Sequence, residues 1–236
     1  PVMDETCTQY FFKTVDEHLA AAGFEGAKYV CSPPIRTTHD QSILWEAVQD
    51  GTLQVVSTDH CDFWYEGSVG PVQEWAATHN GGDWHTYEAQ NPTYRRPGKE
   101  LGKGNFAKIP NGLPGIEDRL MVMWSAGVGS GKISASRFVE LNCTNPAKIF
   151  GMYPRKGTIE VGSDADILVW DPEKTHTISA KTHHMHVDYN LYEGMEVTGV
   201  PVQVYLRGSK IVDGDEWLGS NGQGQFIPRK PNAPIL

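Results

Sequence analysis

The stretch LQVVSTDHCDF, residues 53–63, decides how this chain is read. Leu53, Val55 and Val56 make a short apolar run with the branched side chains that strands favour, and it ends with an acid, an imidazole and a thiol side by side: Asp59, His60 and Cys61. A strand sends successive side chains to opposite faces. Adjacent residues at its end therefore cannot all converge on one ion, and at most one or two of the three can belong to a site. An acid at the C-terminal end of a buried strand is costly unless paired or coordinated; the alternative is an Asp that caps the following turn. The residue pattern alone leaves both readings open.

Working outward, strand-like and helix-like runs alternate through the first 60 or so residues. PVMDETC (1–7) reads as a strand, TVDEHLAAAG (14–23) as a short helix stopped by Gly23, and AKYVCSPP (27–34) as a strand ended by two prolines. THDQSILWEAVQDG (38–51) reads as a helix with Thr or Asp near its N-cap and Gly51 at its end. Such alternation implies parallel pairing and a βα layout, in which functional residues gather at the C-terminal ends of the strands. Ser32 and Asp59 both stand at such ends.

Residues 64–98 break the pattern with Gly, Asn, Pro and aromatics and no sustained period, as a long irregular excursion would: a surface loop, a lid or a subunit contact. Helical periodicity returns over GIEDRLMVMWSAGV (115–128) and SASRFVELNCTNPAKIFGM (134–152), with Ser134 or Ser136, and then Thr144, as caps for two consecutive helices. From about residue 155 the chain turns to short strands and tight turns, with VQVYLRGSKIVDG (202–214) a hairpin turning at Gly208-Ser209. The expected organisation is an α/β part over 1–154, a β-rich module over 155–218 and an extended arm over 219–236. A closed (β/α)8 barrel needs eight strands and typically about 250 residues. With about three strands of that kind before the β-module, the α/β part reads as the last portion of a barrel.

The bulk properties narrow the functional classes. With 236 residues, 39% hydrophobic and 21% charged, the chain has the composition of a globular protein with ample core. A net charge of −9 without any Lys/Arg cluster argues against a nucleic-acid partner and suits a metal or a neutral substrate. No apolar run is long enough to span a bilayer, so no membrane association is expected. The first residues show neither the basic nor the apolar region of a signal peptide, and the missing initiator Met suggests a chain that begins partway through a longer one. Four widely spaced cysteines without a CxxC favour a reduced, cytoplasmic protein, although spacing alone leaves disulfides open.

Several long strings carry a resemblance: ETCTQY, FEGAKYVCSPPIR, LWEAVQDGTLQVVSTDHCDF, IPNGLPGIEDR, NPAKIFGMYPRKGTIEVGSDADILVWDP and HVDYNLYEG. In this order they resemble the dihydropyrimidinase/D-hydantoinase family of cyclic amidohydrolases. The resemblance implies the last part of a (β/α)8 metal-dependent hydrolase barrel followed by a β-sandwich module built from both chain ends. It implies opening of hydantoins or dihydropyrimidines to N-carbamoyl amino acids, two zinc ions per complete subunit, and a homo-oligomer, a tetramer in the family. The family's metals are held by an HxH pair, a carboxylated lysine, two further histidines and one aspartate on the last barrel strand. That aspartate matches Asp59, which the resemblance makes both metal ligand and catalytic proton carrier. The remaining ligands have no counterpart here and belong to an N-terminal half of the barrel, the expected partner of this segment, which alone is expected to be inactive. Ser32 in CSPP and Asn111 in PNG match the family's substrate-binding positions, which act largely through backbone groups. His60 and Cys61 are then expected to pack behind the strand.

Two other strings compete. HHMH at 183–186 has the composition of a metal cluster, but no supporting carboxylate is evident, and a structural role stands against a ligand role. GKGNFAKIPNG (102–112) superficially resembles a phosphate loop yet lacks the GK[ST] ending. Two other functions compete as well: a non-enzymatic scaffold of the collapsin response mediator type, which lacks the aspartate at the position of Asp59, and a related ring opener such as an allantoinase. The family's usual Pro is replaced by Asp62, which is expected to leave that turn less rigid.

Overall fold

The computed structural model describes residues 2–66 and 98–231. The excursion expected over 64–98 lies outside the described residues except at its ends, where Trp64 and Gly98 form a parallel bridge.

Strand β1 (Glu5–Cys7) and strand β2 (Val55–Ser57) pair in parallel, with Glu5 opposite Val55 and Cys7 opposite Ser57. Parallel neighbours need a crossover, usually helical. Here it contains the short helix α1 (Gln9–Phe12) and the main helix α2 (Thr38–Asp50). Helix α2 starts where its sequence says it starts. Thr37 accepts from the Asp40 N–H while the Asp40 carboxylate accepts from the Thr37 N–H, a reciprocal capping box. It ends at Gly51, whose φ of +91° is the left-handed conformation that glycine adopts without penalty.

The strand expected over 27–34 does not form. Residues Glu25–Tyr29 wind into a 3-10 turn, and beyond it Pro33 and Pro34 have no N–H to give a ladder. The described α/β part therefore holds two strands rather than three. The run at 14–23 is helical as expected but short, a π-type turn over Val15–Leu19 capped by Thr14.

After the excursion, helix α3 (Arg119–Met123) continues into a π-type turn over Trp124–Val128. Helix α4 (Ala135–Val139) is capped by Ser134, whose side chain accepts from the Arg137 N–H. Thr144 does not start a second helix. Its backbone is helical, the chain winds on through Glu140–Thr144 into helix α5 (Asn145–Ile149), and its hydroxyl instead donates to the Gly157 carbonyl at 2.7 Å. Side chains from this helical region reach back to β2: Arg119 Nη1 donates to the Val56 carbonyl, Arg137 Nη2 to that of Leu53 and Asn145 Nδ2 to that of Gln54, at 2.7–3.0 Å.

The β-module is a four-stranded antiparallel sheet in the order β3 (Ile167–Thr177), β4 (Glu196–Leu206), β5 (Ser209–Asp213), β6 (Glu216–Trp217). Among the described residues this is one sheet, not two facing layers. Leu206 pairs with Ser209, so the hairpin turns at Arg207-Gly208, both at positive φ, one residue before the expected place. Two positive-φ residues match the twist of the flanking strands. Strand β3 runs through Pro172 by breaking the ladder there: Asp171 faces Val200 and Thr175 faces Thr198, so Gly199 stands opposite three residues. Asp171 Oδ1 accepts from the N–H groups of Glu173 and Lys174, which otherwise lose their strand partners.

One apolar core joins these parts, from Phe11, Trp45, Val48 and Val56 through Val122, Phe138 and Leu141 to Ile178, Tyr192, Val197 and Val200. Trp124 stands edge-on to Phe138, with ring centroids 5.3 Å apart, and tilted against Trp170 at 5.2 Å. Each such pair contributes about 0.5–1.5 kcal/mol beyond area burial. Gly199 is what lets the sheet approach them: its φ is +95°, and a Cβ there would lie 2.2 Å from Trp124 Cδ1. Gly199→Ala is therefore expected to cost about 2–4 kcal/mol, from overpacking together with the left-handed penalty. Chemical denaturation of the variant against the wild type checks this; an unchanged midpoint would show that the tryptophans give way freely.

Candidate functional site

Asp59 follows β2 by two residues and is held at φ +45°, a left-handed conformation in which Asp and Asn are enriched among non-glycine residues. Its side chain is exposed, so the burial cost invoked from the sequence does not operate here. His60 is half-buried. Its Nδ1 accepts from the N–H groups of Gly115 at 3.2 Å and Ile116 at 3.4 Å, which leaves Nε2 as the protonated nitrogen, 3.4 Å from Asp62 Oδ1. That contact holds the Asp62 carboxyl below its ordinary range. His60 is held against the Gly115–Ile116 backbone but is only half-buried, and Cys61 is exposed rather than behind the strand. Alternation along an extended segment puts neighbours on opposite sides.

Ser32 and Asn111, 79 residues apart in sequence, meet directly: Ser32 Oγ donates to Asn111 Oδ1 at 3.2 Å. Both are exposed. Their backbones are tied as well, because the Gly112 N–H donates to the Val30 carbonyl at 3.1 Å. The same turn is laced to the end of β2. His60 and Leu113 form a parallel bridge, and the Cys61 N–H donates to the Leu113 carbonyl at 3.1 Å. Gly112 has φ +154°, and a Cβ on it would lie 2.2 Å from the Cys61 carbonyl oxygen. The turn can sit this close to the Asp59 segment only with glycine there. The structure therefore brings Ser32 and Asn111 into contact and joins them to Asp59 through a short ladder.

The groups behind the Ser32 loop are largely buried. Burial pushes the thiols of Cys7 and Cys31 up, and the phenol of Tyr10 well up. Tyr10 donates to the Pro33 carbonyl at 2.7 Å, and Cys31 Sγ contacts the same oxygen at 3.2 Å, so both hold the Ser32 loop. Lys99 is fully buried, and its ammonium donates to the carbonyls of Val30, Pro110 and Gly112 at 3.0, 2.7 and 2.8 Å. Burial brings it down to about 8, with the Cys31 and Cys61 thiols acting the other way.

Beside this ladder lies an open cleft of about 510 Å³ lined by His60, Asp62, Glu117, His184 and His186 with two apolar neighbours. It excludes Asp59, Ser32 and Asn111. The HHMH string makes structural contacts there. His184 receives the Glu117 carboxylate at its backbone N–H and at Nδ1, 2.6 and 2.8 Å away, and His183 Nε2 lies 3.1 Å from the Val187 carbonyl. Met185 packs with Trp64 and Val187. Among the described residues no group of three or more His, Cys, Asp or Glu side chains is arranged to hold a metal. Asp59 has the exposed hard oxygens of a single carboxylate ligand, and no described neighbour completes a site around it.

Sequence reasoning missed two members of this arrangement. Gly112 was visible as part of PNG, but its contact with Cys61 depends on tertiary packing. Lys99 sits in the string GKELGKGN (98–105), where nothing in the local pattern separates it from the solvated Lys103.

Residues 10–211 match the model of the amidohydrolase family. The chain is 44% identical over 229 residues to a D-hydantoinase of Streptomyces coelicolor, covering 97% of this chain and 42% of that protein. It is 50% identical over 155 residues to the dihydropyrimidinase of Rattus norvegicus, covering 66% of this chain and 30% of the relative. Among solved structures, D-hydantoinase from Bacillus sp. AR9 superposes with a TM-score of 0.83 at 45% identity, over 99% of this chain and 44% of that one. Dihydropyrimidinase from Brevibacillus agri does so with a TM-score of 0.83 at 43% identity, over the same shares. The chain thus spans a little over two fifths of the length of the D-hydantoinases it matches. With a family model covering most of its length and hydantoinases and dihydropyrimidinases as its relatives, the chain belongs to the amidohydrolase family.

Proposed function

We propose that this chain is the C-terminal portion of a zinc-dependent hydrolase that opens cyclic diamides, hydantoins or dihydropyrimidines, to N-carbamoyl amino acids. On this reading residues 1–154 are the last part of a (β/α)8 barrel, 155–218 belong to a β-sandwich and 219–236 form an arm. An N-terminal half supplies the other strands and metal ligands, the complete subunits form a homo-oligomer, and the protein works in the cytoplasm. The observation that carries the reading is the short ladder joining the end of β2, and so Asp59, to the Ser32–Asn111 pair.

The chemistry asks for these groups. A bound metal pair would lower the pKa of a water and polarise the ring carbonyl. Ring opening adds water oxygen to the carbonyl carbon, breaks the carbon–nitrogen bond and returns a proton to the departing nitrogen. An exposed carboxylate can take the proton from the water and hand it to that nitrogen, and the left-handed backbone at Asp59 turns the chain where the strand ends. The ring's N–H and carbonyl groups need fixed acceptors and donors, which the backbones beside Ser32 and Asn111 offer without loss of side-chain entropy.

Two outcomes follow. Asp59→Ala in the complete enzyme is expected to lower turnover of dihydrouracil by at least about 1,000-fold and to weaken one metal site; wild-type turnover with full metal content would sink the assignment. Residues 1–236 alone are expected neither to open dihydrouracil or hydantoin nor to hold two zinc ions, because hydrolytic zinc sites use three or more protein ligands each. Zinc-dependent turnover by the isolated, mass-verified chain would overturn the fragment reading.

A further inference from the structure

Lys99 is fully buried, and among the described residues no carboxylate pairs with it: the ammonium is held by three backbone carbonyls. Lysine is almost never fully buried without a partner, and its three N–H donors match three acceptors with none left over. The identity of those acceptors is what matters. Val30 lies two residues before Ser32, and Pro110 and Gly112 flank Asn111 on either side. Enclosed in this way, the amine has no exposed surface from which to reach a substrate as nucleophile or base.

We propose that Lys99 is a positioning residue for the substrate-recognition pair. Its ammonium clamps the Val30 and Asn111 segments together and thereby sets the spacing of the backbone groups beside Ser32 and Asn111. Two further hydrogen bonds run across the same junction, Gly112 N–H to the Val30 carbonyl at 3.1 Å and Ser32 Oγ to Asn111 Oδ1 at 3.2 Å. Neither brings the two carbonyls that flank Asn111 and the Val30 carbonyl to one point; only the lysine does. The lysine is itself anchored, since its own N–H donates to the Trp64 carbonyl at 2.6 Å and Gly98 bridges Trp64. Because the ammonium touches neither the Asp59 carboxylate nor any surface a substrate could reach, its removal is expected to affect ring binding rather than the chemical step. The inference rests on the proposed reading of Ser32 and Asn111 as the ring-binding pair.

The test uses Lys99→Met, which keeps an apolar stem and removes the donors, and Lys99→Arg, which keeps charge and donors in a wider planar fork. In the complete, zinc-loaded enzyme, Lys99→Met is expected to raise KM for dihydrouracil by about 10-fold or more, with kcat within about 3-fold and zinc content unchanged. Lys99→Arg is expected to fall between Lys99→Met and the wild type. Hydrogen exchange gives a readout independent of activity. In Lys99→Met, protection is expected to fall over 30–32 and 110–113 while the amides of β1 and β2 keep theirs. A kcat loss at unchanged KM, unaltered exchange at 30–32 and 110–113, loss of protection throughout the molecule, or failure of both variants to fold would each overturn the proposal. Failure of the functional reading looks different: the wild-type enzyme opens no cyclic diamide, whereas the exchange pattern around Lys99 still changes as described.

Discussion

Everything near the candidate site depends on how the carbonyls around β2 find donors. Among the described residues the strand has β1 as its single ladder neighbour. The carbonyls of Val48 and Leu53 are taken by Arg137, that of Gln54 by Asn145 and that of Val56 by Arg119. Hydrogen bonds from charged donors contribute about 1.5–3 kcal/mol each, and leaving such a carbonyl buried without a partner costs a comparable amount. These three side chains come from the helical region 119–145, far along the chain from β2. They fix the strand's position, and through it the place where Asp59 emerges.

The same device recurs on the other side of the ladder with Lys99. Both cases use a long side chain from one segment to satisfy backbone groups of another, where a regular sheet would use a neighbouring strand. Such contacts specify geometry as well as stability, because a guanidinium or ammonium that loses its acceptors in a buried place is itself costly. Asp118 follows this logic with the sign reversed: burial pushes its carboxyl up, and Asn190 donates to it at 2.9 Å while accepting from the Tyr192 N–H at 2.7 Å. That joins GIEDR to VDYNLYEG, two strings that the sequence keeps some 70 residues apart.

What could be read from residues was what local rules control. Helix α2 carries its capping residues and terminal glycine in plain order, β2 is the branched apolar run at Val55 and Val56, and β1 falls within the 1–7 stretch read as a strand. AKYVCSPP had strand composition too, but pairing needs N–H groups that its prolines lack, and its Val30 carbonyl is taken by both Gly112 and Lys99. Thr144 looked like a cap because Thr often is one; the helix passes through it because Gly157 offers its hydroxyl an acceptor. Alternation placed Ser32 and Asp59 at strand ends, their roles and Asn111 came from the family strings, and the ties among the three could not be seen before the tertiary structure. Lys99 was invisible for the same reason. A lysine in a glycine-rich string is ordinarily solvated, and only the fold shows three carbonyls around it.

The Arg207-Gly208 turn has a consequence for the order in which the molecule assembles. It closes β4 on β5 across two residues, whereas β1 must find β2 some 50 residues away. Each doubling of the intervening loop adds about 0.6 kcal/mol of closure entropy, and hairpins form in about 1–10 μs. The hairpin is therefore expected to form before the parallel pair, with the end nearest the chain's C-terminus structured first. Pulsed hydrogen exchange during refolding would reveal the order: protection at 204–212 should precede protection at 5–7 and 55–57, and the reverse sequence would mean that collapse around Trp45 and Val56, rather than the turn, leads the way.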